Sequence, residues 1–311
     1  MIRIFKTEDG VLQRKDEITE GCWIAMTNPT APELVEVSEK TRIDIHHLKA
    51  PLDEEERARI EVEDEYTIIV VDIPTLERYQ ERNRYITIPL GIIISREYLI
   101  TICLEDTPIL KSFIDGRVRD FYTYKKTRFI LQILYRNAST FLQYLRLIDR
   151  KSEEIERKLH ISTQNSELID LLALDKSLVY FTTALRSNEV VLEKMLRIEG
   201  IKQYPEDQDL LEDVIIENKQ AIEMANIYTG ILSGTMDAFA SIISNNQNNV
   251  MKFLAAITIV LSIPTMIASF YGMNFEYIPG GKAPFGFIFV TSAAMLITAI
   301  TALIFRKKKF F

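Results

Sequence analysis

Hydrophobic and polar positions divide the chain into three stretches with different periods. The last is the simplest. Residues 253–271 and 285–305 are mostly apolar runs of 19 and 21 residues without a charge, and Arg306-Lys307-Lys308-Lys309 follows the second. Uncharged runs of about 18 or more residues predict helices that cross a bilayer, because that length matches the hydrocarbon core. Basic residues after the second run predict that its end faces the cytoplasm. Two crossings return the chain to the side it came from. Both termini and the large front part are therefore expected in the cytoplasm of a cell-membrane protein, with residues 272–284 as an external loop.

The first stretch, residues 1–125, is apolar over short lengths, as strands are. Ile2 and Ile4 alternate with polar neighbours, and residues 22–26 continue the pattern before Asn28-Pro29. Residues 66–73, 85–95 and 98–103 are rich in β-branched side chains, and Pro74, Pro89 and Gly91 punctuate them. Thr67-Ile68-Ile69-Val70-Val71 and Ile92-Ile93-Ile94 are nearly continuous apolar runs, as expected of strands covered on both faces. Residues 32–49 read as one helix, with Leu34, Val35, Ile43, Ile45 and Leu48 as its apolar positions. The expected fold here is an α/β domain: a mixed sheet flanked by helices.

From about Lys125 to Pro205 there is no proline, and the period becomes helical. Phe129, Ile133, Leu134, Phe141, Leu142, Leu145 and Ile148 fall at three- and four-residue steps. Residues 126–205 are expected to form an antiparallel helical pair, its second member running over about 166–198. Pro205-Glu206-Asp207 is a helix start, with proline in the first turn and acids at the positive end of the dipole. Nothing stops this helix before Gly272. It is expected to form a stalk over 206–250 and the first crossing over 251–271, a length of roughly 100 Å. Two heptad seams run along it: Leu211, Asn218, Ala225, Leu232, Phe239, and Val214, Ala221, Tyr228, Thr235, Ile242. Small and polar residues interrupt both, which predicts a bundle of several strands rather than a tight two-stranded coil.

A polar or small face continues from the stalk into the first crossing: Asn248, Met251, Ala255, Thr258, Ser262, Thr265 and Ser269. Lipid satisfies no hydrogen bonds, so such a stripe faces protein or water. By itself it reads equally as contact between helices or as the lining of a pore. Two crossings per chain cannot enclose a channel, so a pore requires several copies around an axis. Pro264 removes one backbone bond in mid-span, where a bend is allowed.

Charge sharpens this picture. Residues 251–311 carry a net +5 and the whole chain −7, which leaves −12 for residues 1–250. A front part that acidic attracts cations and not nucleic acid. The chain has two cysteines without metal or redox spacing, as in a reducing compartment, and its first residues do not read as a signal peptide. No phosphate-cradling glycine loop, nucleophile elbow or zinc spacing is present, so neither an enzyme nor an ATP-driven pump is expected. His46-His47 point about 100° apart on a helix, a poor metal pair that reads as surface. Trp23 is expected in the core.

Tyr271-Gly272-Met273-Asn274, between two C-terminal crossings and ahead of a basic tail, resembles the signature of the CorA magnesium channels, and the resemblance extends over the whole chain. It implies a homopentameric funnel, with the first crossings lining the pore and the second facing lipid. Asn274 would form a ring of amide carbonyls at the outer mouth. Gly272 would let the backbone turn sharply, and Met273 would hold the loop. Asn248 and Met251 would lie at the neck, Leu254 at a hydrophobic constriction, and Ser262 and Thr265 higher in the lumen. The stripe itself favours Ala255 over Leu254.

The basic tail Arg306, Lys307, Lys308, Lys309 would surround the neck, or serve only as a lipid anchor. Glu276 would draw cations outside. Passive transport of Mg²⁺, with Co²⁺ or Ni²⁺ as possible passengers, would be closed by cytoplasmic Mg²⁺ bound between neighbouring front domains. Asp213 matches one carboxylate of that regulatory site. Its partner should lie near Leu48-Lys49-Ala50-Pro51, where the family has acids and this chain has Lys49 and Ala50. Asp53 and Glu54 then replace it, or belong to an exposed acidic helix start. A Zn²⁺ transporter of the same architecture, against which Met273 argues, and a non-transporting membrane-anchored coiled-coil scaffold are the alternatives.

Overall fold

The computed structural model describes residues 1–79, 82–161, 165–198, 205–274, 278, 279 and 284–308. The chain divides into two compact units, Met1–Met236 and Asp237–Phe311.

In the first unit seven strands form one sheet: β1 Ile2–Glu8, β2 Val11–Lys15, β3 Trp23–Thr27, β4 Arg59–Val62, β5 Tyr66–Tyr79, β6 Arg82–Ser95 and β7 Leu99–Cys103. Their order is β2-β1-β3-β7-β6-β5-β4. β3 and β7 are parallel, and the other pairs are antiparallel. The sheet is mixed, as the sequence predicts.

Both of its faces are covered. On one face Ile24, Met26, Ile68, Val70, Ile93 and Ile100 cluster with Leu34, Val37, Ile43 and Leu48. These last four belong to or flank helices α1 Ala31–Thr41 and α2 Ile45–Lys49. On the other face Trp23, Ala25, Ile69, Val71 and Ile92 cluster with helical residues. The helices are α3 Pro108–Ile114, α4 Lys126–Ile161, α5 Asn165–Met195 and the start of α6 Pro205–Tyr271. Alternate residues of each strand thus enter different cores, which is why the runs at 67–71 and 92–94 carry almost no polar position. Trp23 is fully buried among Phe5, Phe113, Phe121 and Phe129, and its indole N–H donates to Thr101 Oγ1 at 2.9 Å.

Three expectations need correction. Residues 32–49 are two helices, because Arg42 adopts the left-handed conformation that closes α1, its N–H bonded to Ser38 O. Strand β5 does not stop before Pro74 but runs to Tyr79, and β6 begins at Arg82 and passes through Pro89. Asp72 and Pro89 face each other, as do Pro74 and Thr87. The N–H and C=O of Asp72 turn away from β6, toward an edge that β4 leaves open beyond Val70. The Asp72–Pro89 pair is therefore one that exchanges no hydrogen bond, and a strand tolerates proline there. Asn188 Oδ1 accepts from Asp72 N–H at 2.9 Å, and the Nδ2 groups of Asn137 and Asn188 donate to Asp72 O at 2.8 Å. Two helices thus supply the ladder that β4 does not reach. Finally, the acidic run 53–56 is a turn after the 3-10 segment Ala50–Leu52, not a helix start. Gly91 is fixed by this segment: a Cβ there would lie 2.2 Å from Pro51 Cγ.

Helix α4 and the first seam of α6 follow their predicted faces, and the second seam does so only in part. Phe129, Ile133, Leu134, Phe141, Leu142, Leu145 and Ile148 are all buried. The first α6 seam is buried from Leu211 to Phe239. The second is buried at Val214 and Ala221, and exposed by Ile242. Arg128 pairs with Glu206 at 2.9 Å and Asn218 Nδ2 donates to Leu185 O at 3.1 Å, tying the start of α6 to α4 and α5. The second unit contains the remainder of α6 and helix α7 Gly286–Lys307. α6 runs through Pro264 without a break.

Candidate functional site

Among the described residues two helices are long and apolar enough to cross a bilayer, the end of α6 and α7. Their side chains point outward. Leu254, Leu261, Met266 and Phe270 on α6 are exposed, as are Phe287, Phe289, Met295 and Leu303 on α7. Within the apolar runs the buried residues are alanines, Ala256 and Ala294. So much contiguous apolar surface is not stable in water and calls for lipid or further protein.

One face of α6 differs. Thr258, Ser262, Thr265 and Ser269 line an open groove of about 640 Å³, with Ile257, Leu261, Met266, Phe270 and Met273 beside them. Three of the hydroxyls donate to their own helix: Thr258 Oγ1 to Leu254 O at 2.8 Å, Ser262 Oγ to Ile259 O at 2.9 Å, and Thr265 Oγ1 to Leu261 O at 2.9 Å. Each proton is spent inside the helix, so what the oxygens offer outward is lone pairs. The face is a row of acceptors. No partner helix is needed to satisfy these hydroxyls, and the same holds for Thr291, Thr298 and Thr301 on α7, whose Oγ1 groups donate to their own helix in the same way.

At the N-terminal end of the stripe Asn248, Met251, Leu254 and Ala255 are all exposed. At about 100° per residue Leu254 and Ala255 lie about 50° to either side of the mean direction of the four hydroxyl residues.

At the other end α6 stops at Tyr271. Gly272 N–H bonds to Ala268 O at 2.9 Å, Met273 N–H to Phe270 O at 3.4 Å, and Asn274 is exposed just beyond. Tyr271 Oη donates to Pro279 O at 3.2 Å. Gly272 is not among the glycines with positive φ. A sharp left-handed turn is therefore not what selects glycine here. A Cβ would instead come within 3.3 Å of Ala268 O. Glu276 and Lys309 lie outside the described residues. Arg306 and Lys307 end α7, and Lys308 caps it with its N–H on Ile304 O at 3.0 Å.

The expected regulatory residues lie in the first unit. Asp213 is exposed on α6, and Asp53 and Glu54 are exposed in the turn after Leu52. Among the described residues they form no three-ligand cluster within one chain; the cluster that does form is His47 with Glu61 and Glu63, which sequence spacing does not reveal.

A family model described as CorA-like Mg²⁺ transporter protein matches residues 19–308. The cobalt/magnesium transport protein CorA of Methanocaldococcus jannaschii is 29% identical over 294 residues, covering 92% of this chain and 90% of that protein. The complete structure of the CorA magnesium transporter from the same organism superposes with a TM-score of 0.86 at 27% identity, covering 100% of this chain and 99% of the other. The full-length CmaX protein shares the fold alone, at 14% identity and a TM-score of 0.71, over 98% of this chain and 96% of that one.

Proposed function

The chain belongs to the CorA-like Mg²⁺ transporter family, and we propose that it carries Mg²⁺, with Co²⁺ as a second cargo, passively through a conduit on the axis of a homopentamer. As a member of a transporter family it is not an enzyme. One observation supports the conduit most directly: the row of hydroxyl acceptors on α6 that leads to the exposed Asn274.

Mg²⁺ gives up its water reluctantly. A hydrated cation presents water protons on its outside, so the wall that carries it needs acceptors rather than charges. Thr258, Ser262 and Thr265, with their protons turned into the helix, are such a wall. Five copies of Asn274 would place a ring of amide oxygens at the outer mouth, with Gly272 and Met273 shaping the helix end beneath it. That ring hydrogen-bonds the ion's water shell and selects the hydrated ion without stripping it. Asn248 and Met251 would form the neck, with Leu254 narrowing it. Arg306 to Lys309 would hold the tail at the cytoplasmic surface of the membrane, both termini being cytoplasmic.

Closure by cytoplasmic Mg²⁺ is part of the proposal. Acidic faces of neighbouring front units repel unless a divalent ion bridges them. Asp213, Asp53 and Glu54 are exposed carboxylates available to a second copy. With Lys49 and Ala50 where the family has acids, inhibition is expected to be weaker than in relatives that keep them.

The test is Mg²⁺ uptake in a magnesium-auxotrophic strain. The wild-type chain rescues growth and Asn274→Ala, expressed and inserted equally, loses rescue. Full rescue by Asn274→Ala would remove the ring from the mechanism. A membrane-anchored scaffold would rescue in neither form.

A further inference from the structure

One cluster of metal-ligating side chains lies apart from everything above. His47 of α2, Glu61 of β4 and Glu63 in the turn after β4 bring one donor atom each to within 4.8 Å of one another. We infer that these three side chains bind a single divalent transition ion of the Co²⁺, Ni²⁺ or Zn²⁺ kind, and that Mg²⁺ does not compete for the site. The inference is independent of the transport reading.

The local fold explains the meeting. Ile60 packs against the core on the α4–α5 side of the sheet. Its strand neighbour Glu61 therefore points to the opposite face, where α1 and α2 lie. Glu63, two residues on, follows it, and the turn is closed by Glu63 N–H on Tyr66 O at 2.9 Å. On α2, Asp44 caps the first turn by accepting from His46 N–H at 2.8 Å. That leaves His46 exposed and sets His47 against the sheet. The tandem histidines are thus a poor pair, as their angular separation requires, but one of them joins two carboxylates from elsewhere in the chain.

The donors are held. His47 Nδ1 lies 3.0 Å from Tyr66 Oη, and the two rings meet edge to face at 5.8 Å, which fixes the rotation of the imidazole. Tyr66 Oη also accepts from Asp44 N–H at 3.3 Å. Partners of this kind orient the imidazole ligands of metal sites. Arg59 Nε donates to Glu61 Oε1 at 2.8 Å and leaves Oε2 for an ion. Arg59 is itself paired with Glu56, and Asp64 and Glu65 share the turn, so the surroundings stay net negative.

The donor set decides the ion. Mg²⁺ takes oxygen ligands in a strict octahedron and keeps its water, whereas an imidazole nitrogen with two carboxylates suits Co²⁺, Ni²⁺ or Zn²⁺. Donors around such an ion lie about 3.4 Å apart in a tetrahedral shell. Rotation of the exposed Glu63 closes the remaining gap, and water completes the coordination.

The experiment uses the purified full-length protein in detergent, stripped of metal and titrated with Co²⁺, followed by its visible absorption and by equilibrium dialysis. Wild type should bind one Co²⁺ per chain that an about 1,000-fold excess of Mg²⁺ does not displace. His47→Gln should lose that equivalent or weaken it by at least about 30-fold, and Glu63→Gln by about 10-fold. His46→Gln should bind as wild type does. Thermal melts without metal establish that each variant is folded. If His47→Gln does not fold, Glu63→Gln, altered at an exposed residue, carries the test. Wild-type Co²⁺ binding by folded His47→Gln or Glu63→Gln, or displacement by Mg²⁺, overturns the assignment.

Discussion

Phe129 and Phe289 are the same side chain in opposite surroundings. Phe129, 1% exposed, sits in the first unit among Trp23, Phe113 and Phe121. Phe289, 76% exposed, lies on α7. The contrast extends to the buried amides but not to the helix hydroxyls, since Thr140, Ser177, Thr182, Thr183 and Thr229 of the first unit also donate to carbonyls of their own helix. In the first unit Asn137, Asn188 and Asn218 satisfy backbone atoms of other elements. In the second, Thr258, Ser262, Thr265, Thr291, Thr298 and Thr301 all satisfy carbonyls of their own helix. The first unit completes its interior with long-range contacts. The second leaves its apolar surface for lipid or further protein, and these six hydroxyls each bond within one helix, as hydrocarbon requires.

The same truncation in each unit tests that contrast most strongly. Phe129→Ala should cost about 3–5 kcal/mol by opening a cavity in a packed core. Phe289→Ala, in detergent, should stay within about 0.5 kcal/mol. Denaturant melts of the two variants check the pair. Equal costs would mean that Phe289 is covered in the assembly and would break the comparison.

A smaller effect sharpens it from the first unit. Burial raises the Asp72 carboxyl from its ordinary 3.8 to about 7. The folded state therefore favours the protonated acid. The cost of burying Asp72 is absent below about pH 4, grows between about 4 and 7, and is complete above. Asp72→Asn should leave stability unchanged at pH 4 and raise it by roughly 1–3 kcal/mol at pH 8, as read from melts at both pH values. A gain independent of pH would show that the carboxyl is not kept neutral by burial.

Much of this was legible before any coordinates. Runs buried on two faces, such as 68–71, announce themselves because no polar residue interrupts them. The long helix from Pro205 is legible from its acidic start and the lack of a stop. Less visible were the edge strands β2 and β4, short and without a fully buried residue, where alternation between core and water is weak. The passage of β5 through Pro74 was hidden because proline is excluded only where its N–H is needed, and that depends on the register with β6. On α6 the stripe was readable as a face. That its hydroxyls turn their protons into the helix was not, because χ1 leaves no trace in sequence. His47 with Glu61 and Glu63 escaped because a site made from three segments has no spacing.

The central claim is that the hydroxyl face of α6, and not its apolar faces, borders the path of the ion. Single cysteines along residues 258–269, treated with a charged thiol reagent during Mg²⁺ uptake, measure it directly, since the native Cys22 and Cys103 are buried. The prediction is block at positions 258, 262, 265 and 269 and silence at 260, 263 and 267, a helical period matched to the stripe. Block centred on 260, 263 and 267, or at no position, would contradict it.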